Sequence, residues 1–160
     1  MTSAYVFRGE ALFYDVYDTP DLVTRFLSAL VASIHRYRYW EADREGRPRV
    51  SPESGSLADD VAAMFGPDMW PDLVLPRLEQ YFRGVTTGTR RAHIDDLRPD
   101  HVPLLERLQL SFFDPSISGR LRPRILAERC RVPFNWRLMS FHYHDMSEED
   151  VADWVFLAVA

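Results

Sequence analysis

The feature that most constrains this chain is a strand-like segment followed by a helix-like segment, repeated four times. Strand candidates cover residues 56–61, 90–94, 110–113 and 132–139, and helix candidates cover 66–82, 99–108, 120–129 and the stretch after 147. Such alternation predicts an α/β fold with parallel strands joined by right-handed crossovers. Two architectures fit: a small doubly wound sheet, or part of a (β/α)₈ barrel, which takes about 250 residues when complete.

The segment before the first strand candidate is mainly helical by its pattern. Residues 5–17 are rich in aromatic side chains and could form a short strand or a helical turn. Asp18, Thr19, Pro20 and Asp21 are typical of a helix start, with a capping residue, a proline in the first turn and an acid near the positive end of the helix dipole. We expect this helix to end near Asp43, and residues 44–55 to form a loop.

Composition excludes several classes of protein. The net charge of −5 gives no reason to expect nucleic-acid binding. No apolar run approaches the roughly 20 residues that cross a bilayer, and the first residues lack the pattern of a signal peptide. Cys130 is the single cysteine, and all 19 basic residues are arginine, which excludes lysine Schiff-base chemistry. We therefore expect one soluble, cytoplasmic domain over residues 1–160.

Acids follow the first strand candidate, at the edge where parallel sheets carry their functional residues. The pair Asp59 and Asp60 could bind a polar group of a substrate or supply a general base. Because neighbouring residues of a strand point to opposite faces, only one of the two would face a barrel interior. The alternative is that both belong to a solvated turn or to the start of a helix.

The other strand candidates carry three further kinds of candidate residue. His93 and Asp95 share one face of the second strand, where they could hold zinc or work as an oriented acid/base; the alternative is a histidine satisfied by hydrogen bonds. Asp114 follows the third strand. Arg137, in the fourth, could bind a substrate carboxylate through two parallel hydrogen bonds, or pair with a neighbouring acid.

A family resemblance extends over nearly the whole chain, through motifs that occur in a fixed order. The segments are residues 8–13 with 17–23, 58–62 with 66–70, 74–78, 91–96, and 113–115 with 133–136. Together they resemble the uroporphyrinogen decarboxylase superfamily, which contains the tetrapyrrole decarboxylase and corrinoid-dependent methyltransferases on a β/α barrel. The resemblance implies a partial (β/α)₈ TIM-barrel-like fold in which the early strands and the last strand are missing.

The resemblance also implies roles for individual residues. Catalysis would fall to His93 and Asp60, with His93 as acid/base or metal ligand. Substrate groups would be bound by Asp59, Asp114 and Arg137, and the metal ligands would be His93 and Asp95, with zinc as the cofactor. The implied activity is tetrapyrrole decarboxylation or methyl transfer involving a corrinoid or thiol.

Two departures from the family pattern bear on that activity. Asp95 stands where zinc-binding members carry a cysteine, and a carboxylate is a harder ligand than a thiolate. Asp96 replaces the glycine that usually follows, so we expect this loop to bend differently. The segment that carries the decarboxylase's arginine-rich signature and catalytic aspartate lies among the missing early strands.

The alternative to an enzyme is a non-catalytic binding or interaction module. An open half-barrel exposes strand edges and an apolar inner face, which invite pairing with another chain. A second copy or a different chain could complete the barrel around a small-molecule substrate. An inactive, truncated family member is the third interpretation. Neither nucleic acid nor a membrane is expected as a partner.

Overall fold

The computed structural model describes residues 1–116, 118, 120–135, 144 and 146–159, with the backbone alone at 154 and 157–159. It is a mixed α/β structure built on a three-stranded parallel sheet, as the strand–helix alternation predicts. The strands are β1 (Ser54–Asp59), β2 (Thr89–Ile94) and β3 (Phe112–Asp114).

Three helices precede the sheet. They are α1 (Thr2–Arg8), α2 (Ala11–Asp18) and α3 (Pro20–Glu45). The long helix begins at the predicted proline and ends at Gly46, whose φ of 65° is left-handed, a conformation that glycine adopts without strain. Residues 5–17, for which the sequence leaves strand and helix open, are helical apart from the turn that separates α1 from α2.

The strands lie in the order β1-β2-β3, so the chain moves across the sheet in one direction. The register pairs Ala58 with His93 and His93 with Asp114, which brings the ends of all three strands to one edge. Right-handed crossovers that advance in one direction place their connecting segments on the same face of a sheet. The described strands therefore contain no reversal of order of the kind that defines a doubly wound sheet.

The strand boundaries differ from the prediction by one or two residues. Strand β1 begins and ends two residues earlier than predicted, and β2 begins one residue earlier. Strand β3 begins two residues later and ends one residue later, so that Asp114 is its last residue. Of the predicted fourth strand, the described part contributes one parallel bridge, between Phe134 and Phe113. Residues 136–139 lie outside the described part of the chain.

Prolines determine how the segments between the strands coil. Pro76 has no N–H to continue the helical ladder, and a wide π-helical turn (Trp70–Val74) gives way there to α4 (Leu75–Val85). After β2, Pro99–Leu108 forms a 3₁₀ helix that contains Pro103 and ends at Gln109, with a left-handed φ of 53°. A short 3₁₀ turn (Ala62–Met64) and the helices α5 (Pro123–Arg129) and α6 (Glu148–Val159) complete the structure.

The two faces of the sheet differ in character. One face is covered by helices, and its residues Ala92, Ile94 and Phe113 are buried together with Trp70 and Phe82. The opposite face, which we call the open face, carries Ser56, Ala58, Arg91, His93, Phe112 and Asp114, none of them buried. This face is mixed and largely polar, whereas an apolar face is expected for a half-barrel. No helix in the described part of the chain is long and apolar enough to span a membrane.

Candidate metal centre

His93 is the centre of a cluster at the carboxyl edge of the sheet. Its imidazole is half-buried on the open face and has carboxylates on both sides. Nδ1 lies 3.1 Å from Asp114 Oδ2, and Nε2 lies 3.0 Å from Asp95 Oδ1 and 3.8 Å from Asp60 Oδ1. The sequence predicts all four residues as site residues, and the register of the strands brings them together.

The Nδ1 side of the ring faces a carboxylate that is itself held in place. Asp114 ends β3 directly beside His93, and its Oδ1 accepts a hydrogen bond from the backbone N–H of Ser116 at 2.9 Å. A hydrogen bond to Asp114 is donated by the tautomer that carries its proton on Nδ1, and a hydrogen bond to Asp95 by the tautomer that carries it on Nε2. In the first of these tautomers, the lone pair of Nε2 points towards Asp60 and Asp95.

On the Nε2 side of the ring, two carboxylate oxygens lie close together. Oδ1 of Asp95 is buried and has no hydrogen-bond partner among the described residues. Asp60, Asp95 and His93 each offer one ligand atom, and these atoms lie within 4.8 Å of one another. Two carboxylates and an imidazole lone pair repel one another unless a cation or a proton lies between them. The arrangement can therefore hold one divalent cation.

Asp95 reaches this position through a tight turn after β2. The next residue, Asp96, has a left-handed φ of 51°, which a short polar side chain tolerates better than most. Its Oδ1 accepts a hydrogen bond from Ser118 Oγ at 2.9 Å, and Oδ2 pairs with Arg120 at 2.9 Å. Both carboxylate oxygens of Asp96 are thus bound by residues outside the cluster, which holds the turn that contains Asp95.

Asp59 lies on the other face of β1, in the core. Its carboxylate is 1% exposed and contacts the amino group of Met1. Oδ1 accepts hydrogen bonds from N and Oγ1 of Thr2, at 3.0 Å each, and from the backbone N–H groups of Val61 and Ala62 at 3.1 and 3.0 Å. The structure thus separates the two neighbouring acids, with Asp60 beside His93 and Asp59 joined to α1.

Arg137, the predicted carboxylate-binding residue, lies outside the described residues. Sequence reasoning also missed two side chains next to the cluster, Arg91 and Phe112. Arg91 is two residues before His93 on β2, so the period-two alternation of a strand could have assigned it to the same face. Phe112 could not be found in that way, because its position follows from the pairing of β3 with β2.

A second histidine, His101, has a structural role. It is fully buried; Nε2 lies 2.9 Å from the carbonyl oxygen of Phe65, and Nδ1 accepts a hydrogen bond from the backbone N–H of Arg98 at 3.0 Å. These partners require the neutral tautomer with its proton on Nε2. Burial lowers the pKa of His101, and the hydrogen bond to Phe65 opposes that shift.

His101 should make the fold sensitive to mild acid. Because its pKa is lower in the folded chain than the ordinary 6.5, the unfolded chain binds more protons below that pH. Its contribution to stability is complete above about pH 6.5 and is lost as the pH falls, by at most about 1.4 kcal/mol per pH unit. Urea unfolding at about pH 7.5 and about pH 5.5 measures this loss.

The matched variants are His101→Phe and His144→Gln, since His144 is exposed. His101→Phe should be less stable at both pH values, because it leaves two buried backbone groups unpaired, and should show a smaller difference between them. His144→Gln should keep the wild-type difference. An unchanged pH dependence in His101→Phe would contradict the assignment.

Comparison of this chain with protein-family models, curated proteins and solved structures finds no match.

Proposed function

We propose that this chain is a metal-dependent enzyme domain related to the uroporphyrinogen decarboxylase-like barrels, with zinc as its ion. Asp60, His93 and Asp95 would bind the ion. The observation that carries the proposal is the environment of His93: Nε2 faces two carboxylate oxygens at 3.0 and 3.8 Å, and the nearer oxygen is buried without a hydrogen-bond partner. Ligand atoms at about 2.1 Å from a tetrahedral zinc ion are about 3.4 Å apart, close to these separations.

The donor set fits zinc by its chemistry. Imidazole nitrogen suits zinc better than magnesium or calcium, which take oxygen ligands. Three protein ligands are typical of catalytic zinc sites, where the fourth position is left to water or substrate. A zinc ion held there would supply Lewis-acid polarisation of a substrate oxygen, or a bound thiol or water of lowered pKa.

The residues of the chain have distinct tasks in this proposal. His93 would bind through Nε2, and Asp114 would accept a hydrogen bond from Nδ1–H, which fixes the orientation of the ring. Asp95 supplies its buried oxygen, and the more exposed Asp60 completes the set. The small molecule would lie over the open face, and its polarised group would approach from the side of Asp60.

The family part of the proposal is supported by the order of the strands. A sheet that advances β1-β2-β3 with its connections on one face is the winding of a (β/α)₈ barrel, and the cluster lies at the carboxyl ends of the strands, where such barrels place their sites. The proposed reaction is decarboxylation of a tetrapyrrole, or methyl transfer to a thiol or corrinoid. Another chain would complete the barrel.

The second candidate function is an interaction module without catalysis. It is favoured by β1, which is an edge strand of the described sheet, next to the unburied open face. Edge strands and uncovered faces are the surfaces through which sheets pair with other chains. Assembly of the chain in solution without any metal binding would favour this candidate.

Zinc titration of the chelator-treated chain, in competition with a chromophoric chelator, tests the metal site. We expect one zinc ion per chain, and at least about tenfold weaker binding by Asp60→Asn. Asp21→Asn is the matched control, because this exposed acid in the first turn of α3 undergoes the same loss of charge. Equal zinc binding by Asp60→Asn and Asp21→Asn, or no saturable binding by the wild type, would overturn the proposal.

A further inference from the structure

The open face of the sheet carries two rows of side chains, and the rows are two residues apart along each strand. The first row consists of Ser56, Arg91 and Phe112, and the second of Ala58, His93 and Asp114. A cavity of about 220 Å³ is lined by Ser56, Arg91 and Phe112 of the first row and by His93 and Asp114 of the second. A molecule in this cavity would contact the guanidinium of Arg91 at one end and, at the other, the imidazole of His93, which is one residue of the proposed metal centre.

Arg91 supplies a positive charge to this cavity. Its guanidinium carbon lies 4.9 Å from the centroid of the Phe112 ring, and the side chain is exposed. Among the described residues it has no acidic partner within ion-pair distance, whereas its neighbour Arg90 pairs with Glu79 at 2.6 Å on the helix-covered side. Stacking on an aromatic ring occupies the face of a guanidinium and leaves the N–H groups at its edge free to donate.

We infer that this cavity binds a small dicarboxylate, with Arg91 as the anchor for one of its two carboxylates. The edge of a guanidinium donates two parallel hydrogen bonds to a carboxylate, and the platform of Phe112 holds that edge in position. The other carboxylate reaches the metal centre at His93, two residues or about 6.6 Å further along the strand. For this second end, the inference rests on the proposed function.

The charges at the two ends of the cavity differ. His93 is surrounded by three acids, so an anion can bind at that end only by coordinating a metal ion that is held there. Arg91, in contrast, offers its positive charge with or without a metal. The ligand is therefore bound at one end by the protein itself, and at the other end only in the metal-loaded state.

Calorimetric titration with glutarate tests the inference, with glutaramide as the uncharged analogue and inorganic phosphate as the compact anion. We expect glutarate to bind the zinc-loaded chain, and Arg91→Gln to bind it ~10–100-fold more weakly with an unchanged zinc stoichiometry. Arg91→Lys should restore binding only in part, because lysine keeps the charge without the paired donors. Arg25→Gln, an exposed arginine of α3, is the control for the change in net charge.

The outcomes separate this inference from the proposed function. If zinc does not bind but Arg91→Gln still weakens glutarate binding to the metal-free chain, the metal centre is wrong and the anchor is supported. If zinc binds and glutarate binds Arg91→Gln as tightly as wild type, the anchor is overturned and the metal centre remains. Phosphate or glutaramide binding as tight as that of glutarate, or no saturable glutarate binding below about 10 mM, would also overturn the inference.

Discussion

Asp59→Ala is expected to lower the free energy of unfolding by about 3–5 kcal/mol, the cost of breaking a buried charge pair by removing one partner. The carboxylate of Asp59 is 1% exposed and connects two parts of the chain. One is the start of α1, through the amino group of Met1 and both donors of Thr2, and the other is the turn that begins at Val61. Its loss leaves the Met1 amino group and several N–H groups without an acceptor in the core, and each unsatisfied group adds its own penalty.

Urea unfolding of Asp59→Ala and Asp60→Ala at neutral pH measures this effect. Asp60 is the natural control, since it is the next residue, loses the same charge and is exposed, so its substitution should change stability by no more than about 0.5 kcal/mol. Asp59→Asn separates the effect of charge from that of size. Asparagine keeps one oxygen acceptor but places an amide N–H₂ group where Oδ2 contacts the amino group of Met1. Similar losses in the Asp59 and Asp60 variants would show that the buried network is not what holds α1 to the sheet.

The same network also holds the backbone of one residue of the proposed metal centre. The hydroxyl of Thr2 donates to Asp59 Oδ1 and accepts the backbone N–H of Asp60 at 2.9 Å. The backbone of Asp60 is thus fixed by α1, although its side chain extends to His93. A centre assembled from strand ends needs this rigidity, because ligands must be held close to their binding geometry before the ion arrives.

The parts of the fold that local sequence determines could be predicted. The helix that begins at Pro20 was predicted through its start signals, and β2 (Thr89–Ile94) was predicted to within one residue. Alternation along a strand also predicts that Asp59 and Asp60 point to opposite faces. What alternation cannot decide is which of the two is buried, because the groups that bind Asp59 come from Thr2, more than fifty positions away.

Other features depend on packing that the sequence pattern does not contain. The sequence predicts a short helix over residues 99–108, and its spacing does not distinguish the observed 3₁₀ helix (Pro99–Leu108) from an α-helix. His101 itself lies outside every predicted site, and its burial follows from tertiary contacts with Phe65 and Trp70. Arg91 was not predicted because functional residues of parallel sheets are expected at the strand ends, whereas this residue lies in the middle of β2.

The second large effect is expected on zinc binding at the proposed centre, from substitutions of His93 and of Asp114, the acid beside its Nδ1. His93→Ala should abolish stoichiometric zinc binding, because it removes the nitrogen ligand and leaves two carboxylates that favour harder ions. Asp114→Asn should keep all three ligands and still weaken zinc binding ~10–100-fold, the usual cost of losing an outer-sphere partner of a metal-bound histidine. Zinc affinity, measured by chelator competition for both variants, gives the two values.

Comparison of the zinc affinities and stoichiometries of the two variants shows whether Asp114 orients the ring or acts as a ligand. If Asp114 only orients the ring, Asp114→Asn lowers zinc affinity without changing the number of ions bound, whereas His93→Ala changes both. An asparagine at this position can turn its amide N–H₂ towards Nδ1, which favours the tautomer with its proton on Nε2 and so blocks the ligand lone pair. Asp114→Glu, which restores a carboxylate acceptor, should therefore recover part of the lost affinity. Equal zinc affinity in Asp114→Asn and wild type would mean that the ring is oriented by its burial alone.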